Sequence, residues 1–182
     1  MTTATLADTT PRIWVGCLAC YNNARLVGEW FDAIEGDDIT LADVHGGAQH
    51  VRPGCEEIWV MDHENLPIRG ECSPHDAAQL AHVVEEVHEN DREAFLVWAL
   101  SGDQIEDGDG LPSASDFEER YCGTWESFEA YTENLGEDIA LLDGIPDEIA
   151  RYFDWRAWAR DLAFDYTTSD APEGGVFVFR SL

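Results

Sequence analysis

LLDGIPDEIARYFD, residues 141–154, sets two helix boundaries close together and fixes the architecture of the C-terminal third of the chain. Leu141 and Leu142 close one apolar-periodic run. Gly144 suits the position just past a helix end, because glycine enters the left-handed region without a Cβ clash. Pro146 suits the first turn of a new helix, where its missing N–H matters little. Asp147 and Glu148 follow at the positive end of that helix's dipole. Ile149, Tyr152 and Phe153 recur at i, i+3, i+4 and predict one apolar face. Asp154 can stop this helix and cap the next, whose apolar positions are Trp155, Trp158, Ala159 and Leu162. By pattern alone, the stretch is a hinge in a local core.

Upstream, Thr124 is a candidate cap for a helix with Trp125, Phe128 and Tyr131 inward and Glu126, Glu129 and Glu133 outward. Ser113 or Ser115 would cap a short acidic helix holding Asp116, Glu118 and Glu119. Downstream, Gly174-Gly175 leads into VFVFR (176–180), a strong last strand. Residues 102–112 are a turn-rich linker. Before it, DREAFLVWALS (91–101) is apolar nearly all round and should be buried.

Ser73-Pro74 opens an amphipathic helix. Ala77, Leu80, Ala81, Val84 and Val87 form its inner stripe. Asp76 lies in its first turn, and His82, Glu85, Glu86 and Glu89 face the other way. RIWVGC (12–17) and EIWVMD (57–62) predict strands. The spacing of Leu26, Trp30, Phe31 and Ile34 predicts a helix ending at Gly36. Residues 36–56 are polar and glycine-rich, 63–73 read as a loop, and 1–11 as a frayed end.

The chain holds 38 acidic and 10 basic residues, all of the latter Arg, for a net charge of −28. At 45% hydrophobic residues it is too apolar for a disordered acidic tail. Each third of the chain is net negative, so the whole folded surface must be, and self-repulsion must cost stability. Brine, a basic protein partner or bound cations would relieve that repulsion. Nucleic acid binding is disfavoured, because phosphates would be repelled. Thr2 to Pro11 is polar rather than a secretory leader, five Cys is an odd number, and no run approaches the ~18 apolar residues of a membrane span. These features predict a cytoplasmic protein with free thiols and no membrane contact.

Catalytic and metal motifs are weak. Cys17-Leu18-Ala19-Cys20 has half-site spacing, but neither Cys55 nor Cys72 has a second Cys beside it, so packed thiols are expected and no metal. Asp62-His63-Glu64 is not H-E-x-x-H, since Leu66-Pro67 follows. Glu85-x-x-His88 is half of a di-iron pattern that requires two copies. Asp103, Asp107 and Asp109 crowd a glycine-rich loop without EF-hand spacing. No phosphate-binding loop, dinucleotide motif or nucleophile elbow is present, so neither an enzyme nor a cofactor is expected. What remains is rows of carboxylates. On the scale of duplex DNA, one charge per ~1.7 Å, the net charge corresponds to roughly 48 Å, or about 14 base pairs.

RIWVGCLACYNN (12–23) with GEWFDA (28–33), EIWVMDHENLPI (57–68), DFEERYCGTWESFEAY (116–131) and LLDGIPDEIARYFDWRAWARDL (141–162) together resemble the ArdA-type antirestriction proteins. The resemblance implies an α+β fold, elongated, in three small domains: 1–72, 73–110 and 111–182. It implies a homodimer joined through the C-terminal domain, with Leu141, Leu142, Ile145, Pro146, Ile149, Tyr152 and Phe153 at the interface and antirestriction motif. It further implies a mimic of bent B-form DNA, encoded on mobile elements, that occupies the modification and specificity subunits of type I restriction–modification enzymes. Two subunits would then present the charge of roughly 28 base pairs.

The acids expected to meet the enzyme are Asp76, Glu85, Glu86, Glu89, Asp116, Glu118, Glu119, Glu126, Glu129 and Glu133. Arg151, Arg156 and Arg160 are expected either to pair with acids such as Asp154 and Asp161 or to reduce repulsion where two subunits meet. The competing reading is an acidic structural or basic-protein-binding module of a salt-loving cell, which the matched segments do not require.

Overall fold

Alternation in RIWVGC builds a strand whose Ile13, Val15 and Cys17 are fully buried: β1 (Arg12–Cys17). The computed structural model describes residues 8–102, 104 and 110–181. After β1, the short α1 (Leu18–Asn22) turns the chain into β2 (Gly28–Asp32), antiparallel to β1 with Ile13 opposite Phe31. β3 (Ile58–Glu64) pairs on the other side of β1, giving the order β2-β1-β3.

The helix expected over Leu26–Ile34 is therefore absent. Residues 28–32 are strand, and a 3-10 segment, Ala33–Asp38, follows with Asp32 accepting from the Ile34 N–H at 3.2 Å. Trp30 and Phe31 favour pleated surface, and a free edge on β1 outweighs four weakly periodic positions. α2 (Leu41–Val44) sits in the excursion before β3, closed at its start by a Thr40–Asp43 capping box.

α3 (Pro74–Glu86) begins where Ser73-Pro74 predicts. Ser73 Oγ donates to Asp76 at 2.6 Å, and the Asp76 N–H donates back at 3.1 Å. Its buried residues are small (Ala77, Ala78, Ala81, Val84), so it lies close on the 3-10 segment, where a Cβ on Gly36 would collide with the Pro74 carbonyl oxygen. His75 Nδ1 meets Asp37 Oδ1 at 2.6 Å across this contact, which holds the imidazole pKa above its usual range. α4 (Arg92–Ser101) buries Ala94, Phe95, Trp98 and Ala99, and ends at Gly102 in the left-handed region. Trp98 and Phe95 are the largest fully buried side chains of this half.

The chain divides between Ala114 and Ser115 into two compact units. The second starts within α5 (Ala114–Arg120) and runs through β4 (Tyr121–Trp125), α6 (Phe128–Asp138), α7 (Asp147–Ala150), α8 (Trp155–Leu162), β5 (Tyr166–Asp170) and β6 (Val176–Arg180). Its antiparallel sheet has the order β4-β6-β5. VFVFR takes the central position, so Phe177, Val178 and Phe179 are buried. Phe117 and Tyr121 stack at 5.0 Å beside Phe179.

Two local readings change here. Tyr121–Trp125 is a strand, and α6 is capped by Ser127, whose Oγ accepts from the Ala130 N–H at 3.2 Å, rather than by Thr124. The polar YTTSD forms an edge strand beside β6, where solvent can meet its outer groups. The mixture of helices and antiparallel sheets agrees with the α+β class.

Candidate functional site

The residues after α6 reverse direction twice within a few positions. Ala140 takes φ 52° and Gly144 φ 73°, and the Leu141 N–H returns to the Gly136 carbonyl at 2.8 Å. Pro146 stands one residue earlier than expected, as the N-cap of the four-residue α7. Asp154 caps α8, its Oδ1 accepting from the Ala157 N–H at 3.0 Å.

So short a helix cannot present Ile149, Tyr152 and Phe153 as one buried face. Phe153 turns inward, edge-on to Trp155 at 4.8 Å, and Trp155 meets Trp158 at 5.6 Å. Leu141 and Leu142 are half-buried and, with Gly136 and Trp155, line a cavity of about 450 Å³. Ile145, Ile149 and Tyr152 instead stand 43%, 62% and 79% exposed. Ile139 and Phe164 are exposed as well. The core-hinge reading holds for Phe153 and the tryptophans and fails for these side chains.

α6 and α8 approach at Gly136, where an added Cβ would sit 2.5 Å from the Trp155 ring. That ring is held between Phe153 and Trp158 and has little freedom to move. Alanine ordinarily favours a helix over glycine by about 1 kcal/mol. Gly136→Ala is nevertheless expected to destabilise the chain by about 1–3 kcal/mol through overpacking, as measured by urea denaturation.

Nine of the ten acids singled out by sequence are exposed: Asp76, Glu85, Glu86, Glu89, Glu118, Glu119, Glu126, Glu129 and Glu133. Asp116 differs. It is half-buried and accepts from the buried Arg120 at 2.9 Å, so its charge is compensated inside the unit. Glu126 precedes the Ser127 cap and lies off α6, while Glu89 lies in a 3-10 turn beyond α3. The helical row on α6 is Glu129, Glu133 and Glu137, all exposed. Glu137 extends the spacing of Glu129 and Glu133 by one more turn. Asp76 combines an exposed carboxylate with its capping role.

Ten Arg cannot neutralise this surface. Arg12 reaches Glu64 at 4.0 Å and Arg160 reaches Asp161 at 3.9 Å, both in solvent, where such pairs contribute about 1 kcal/mol or less. Arg151 lies over the Tyr152 ring at 5.4 Å and donates to the Glu148 carbonyl at 3.1 Å. Asp154 serves as a helix cap. Arg151, Arg156 and Arg160 are all exposed.

The other motifs separate. Asp62 and Glu64 are exposed on β3 with His63 facing the other way. His88 Nδ1 accepts from the Asn90 N–H at 3.3 Å as a turn cap. Asp103, Asp107 and Asp109 lie outside the described residues. Cys17 and Cys20 do have companions, which are Cys55 and His45, separated in sequence and brought together by the fold. All four ligand atoms lie within 4.8 Å of one another. Burial raises the Cys17 thiol pKa, but the Cys20 backbone N–H and the His45, Cys55 and Cys20 side chains bring it down to about 7. Burial, then the neighbouring Cys17 and Cys20, push Cys55 up to about 12.

Among the described residues, no helix is long and apolar enough to cross a membrane. Two antiparallel sheets carry exposed carboxylates on three helices and solvent-facing apolar residues after α6, a surface suited to contact with another macromolecule. The antirestriction protein (ArdA) family model matches residues 13–177, and the chain belongs to that family. It is thus an antirestriction protein, whose partner is a restriction–modification enzyme, in a family of binding inhibitors rather than known enzymes. Comparison with individual curated proteins finds no match.

Proposed function

We propose that the protein blocks type I restriction–modification enzymes by occupying their DNA-binding groove as a mimic of DNA charge. The observation that carries this reading is the set of exposed carboxylates on α3, α5 and α6, a continuous row on α6, which the chain's own Arg cannot neutralise. Glu129, Glu133 and Glu137 recur at i, i+4, i+8, so neighbouring acids lie ~6 Å apart on one face. Basic side chains that grip a phosphate backbone would meet fixed anions there, and the modification and specificity subunits are the surfaces that carry such side chains. No cofactor takes part.

The working form in this reading is a cytoplasmic homodimer, elongated and built from the segments 1–72, 73–110 and 111–182. It would be joined through Leu141, Leu142, Ile145, Pro146, Ile149, Tyr152 and Phe153, and encoded on a mobile element. Exposure of Ile145, Ile149 and Tyr152 supports the joint, because a soluble single chain gains nothing by hydrating them.

A type I enzyme held on a labelled duplex tests the reading. Adding the protein is expected to release the duplex near stoichiometry. The triple change Glu129→Gln, Glu133→Gln and Glu137→Gln should weaken release by about 10-fold or more, while each single change alters it by about threefold or less, since charge pairs at an interface rim each contribute little. Retention of the duplex by a folded, dimeric protein at low salt would refute the proposal.

A further inference from the structure

We propose that Cys17, Cys20, His45 and Cys55 form a structural zinc site in the first unit. The four ligand atoms lie within 4.8 Å of one another. Cys20 Sγ and Cys55 Sγ are 3.7 Å apart. Sulfurs on a tetrahedral zinc at ~2.3 Å are separated by about 3.8 Å, whereas a disulfide would require ~2.05 Å. Three Cys and one His are a complete ligand set for a closed zinc site, with no position left for water or substrate.

A second observation points to a ligand. His45 Nε2 is buried and receives no hydrogen bond of good geometry among the described residues, its side chain lying against the Cys17 thiol. Leaving such a nitrogen without a ligand is costly, and a site built only for packing would hold an aliphatic side chain instead. Coordination removes that penalty and assigns the ring a role.

Each ligand sits on a turn fixed by local chemistry. Cys17 ends β1 and Cys20 lies in α1, whose carbonyl at Cys20 accepts from the Asn23 and Arg25 N–H groups, each at 3.0 Å. His45 is the C-cap of α2. Cys55 closes the Arg52-Pro53-Gly54-Cys55 turn, with its N–H on the Arg52 carbonyl at 3.1 Å and Gly54 at φ 86°. The fold thus presents four ligands from three independently shaped turns.

The location also explains why a metal would be used there. Between Asp37 and Glu56 the chain makes a long excursion whose only buried residues are Val44 and Cys55. So little apolar burial cannot hold the segment, and a metal staple against β1 and α1 would. Zinc binding would release about three thiol protons to solvent and leave the site with one net negative charge. This inference is independent of the antirestriction reading.

The full chain, grown with zinc, purified without a histidine tag and desalted, is expected to retain about one zinc per chain. Cobalt exchanged into it should give the intense visible absorption of a tetrahedral site together with thiolate charge transfer. Cys55→Ser and His45→Ala should each reduce retained zinc at least ~10-fold after passage over a chelating resin, while Cys122→Ser should not. If those variants fail to fold, the cobalt spectrum of the unaltered chain still decides. A folded chain with less than ~0.1 zinc and no tetrahedral cobalt spectrum overturns the proposal. A Cys20–Cys55 disulfide in freshly isolated protein overturns it as well.

Discussion

Raising the salt from about 50 to about 200 mM is expected to weaken binding of this protein to a type I enzyme on the order of 10³-fold. DNA ligands with several phosphate contacts lose ~10³–10⁵ over that range, because each contact releases condensed counterions. The acids on α3, α5 and α6 are exposed and largely uncompensated, so they also hold counterions that binding would free. Carboxylates ~6 Å apart along a helix condense fewer ions than a duplex with one charge per ~1.7 Å, which places the effect at the lower end. Direct binding of labelled protein, read by anisotropy across a salt series, measures this without interference from competing DNA. An affinity unchanged over the series would mean that apolar contacts hold the complex and that charge mimicry is not the mechanism.

The sequence reveals α3 better than it reveals β2, for physical reasons. Ser73, Pro74 and Asp76 form a complete start signal within four residues, and the capping box forms as those residue types dictate. Strand β2 depends on its pairing with β1, which lies beyond α1, rather than on a local start signal. Trp30 and Phe31 tolerate either period, and only pairing with β1 decides between them. In the sequence, Trp125 gives the apolar face an earlier start, and Thr124 then reads as the cap in place of Ser127. In the structure Trp125 ends a strand and packs edge-on to Tyr131 at 5.5 Å.

The surface was more legible than its pairing. Acid rows can be read from spacing, but nothing in the sequence marks Asp116 as compensated until α5 closes on Arg120. The thiol cluster was hidden for a similar reason. Metal-site reading looks for pairs of ligands close in sequence, and Cys17-x-x-Cys20 has one such pair only. His45 and Cys55 arrive singly, from turns on either side of a glycine-rich segment. Two His, His45 and His50, between a C-x-x-C and a later lone Cys were the available signal, and only the fold selects His45.

Ile149→Asp with Tyr152→Asp is expected to convert a dimer into monomers, raising its dissociation constant by about 10³-fold or more. Burying these two side chains at a joint contributes about 4 kcal/mol, which corresponds to that factor. Two carboxylates forced into the interface would add desolvation and repulsion. The same residues are 62% and 79% exposed in the single chain, so the monomer's own stability should change by about 0.5 kcal/mol or less. Sedimentation velocity with a parallel thermal melt separates the two effects. A dimer that survives the double change would place the joint elsewhere on the chain. The variant also bears on mechanism, because it adds negative charge while dividing the dimer. If inhibition depended on local acidity alone, the monomer would bind at least as well as the parent. If the enzyme's groove needs a charge row as long as the dimer, affinity falls and the slope of log affinity against log salt drops to about half, since the slope counts the contacts made.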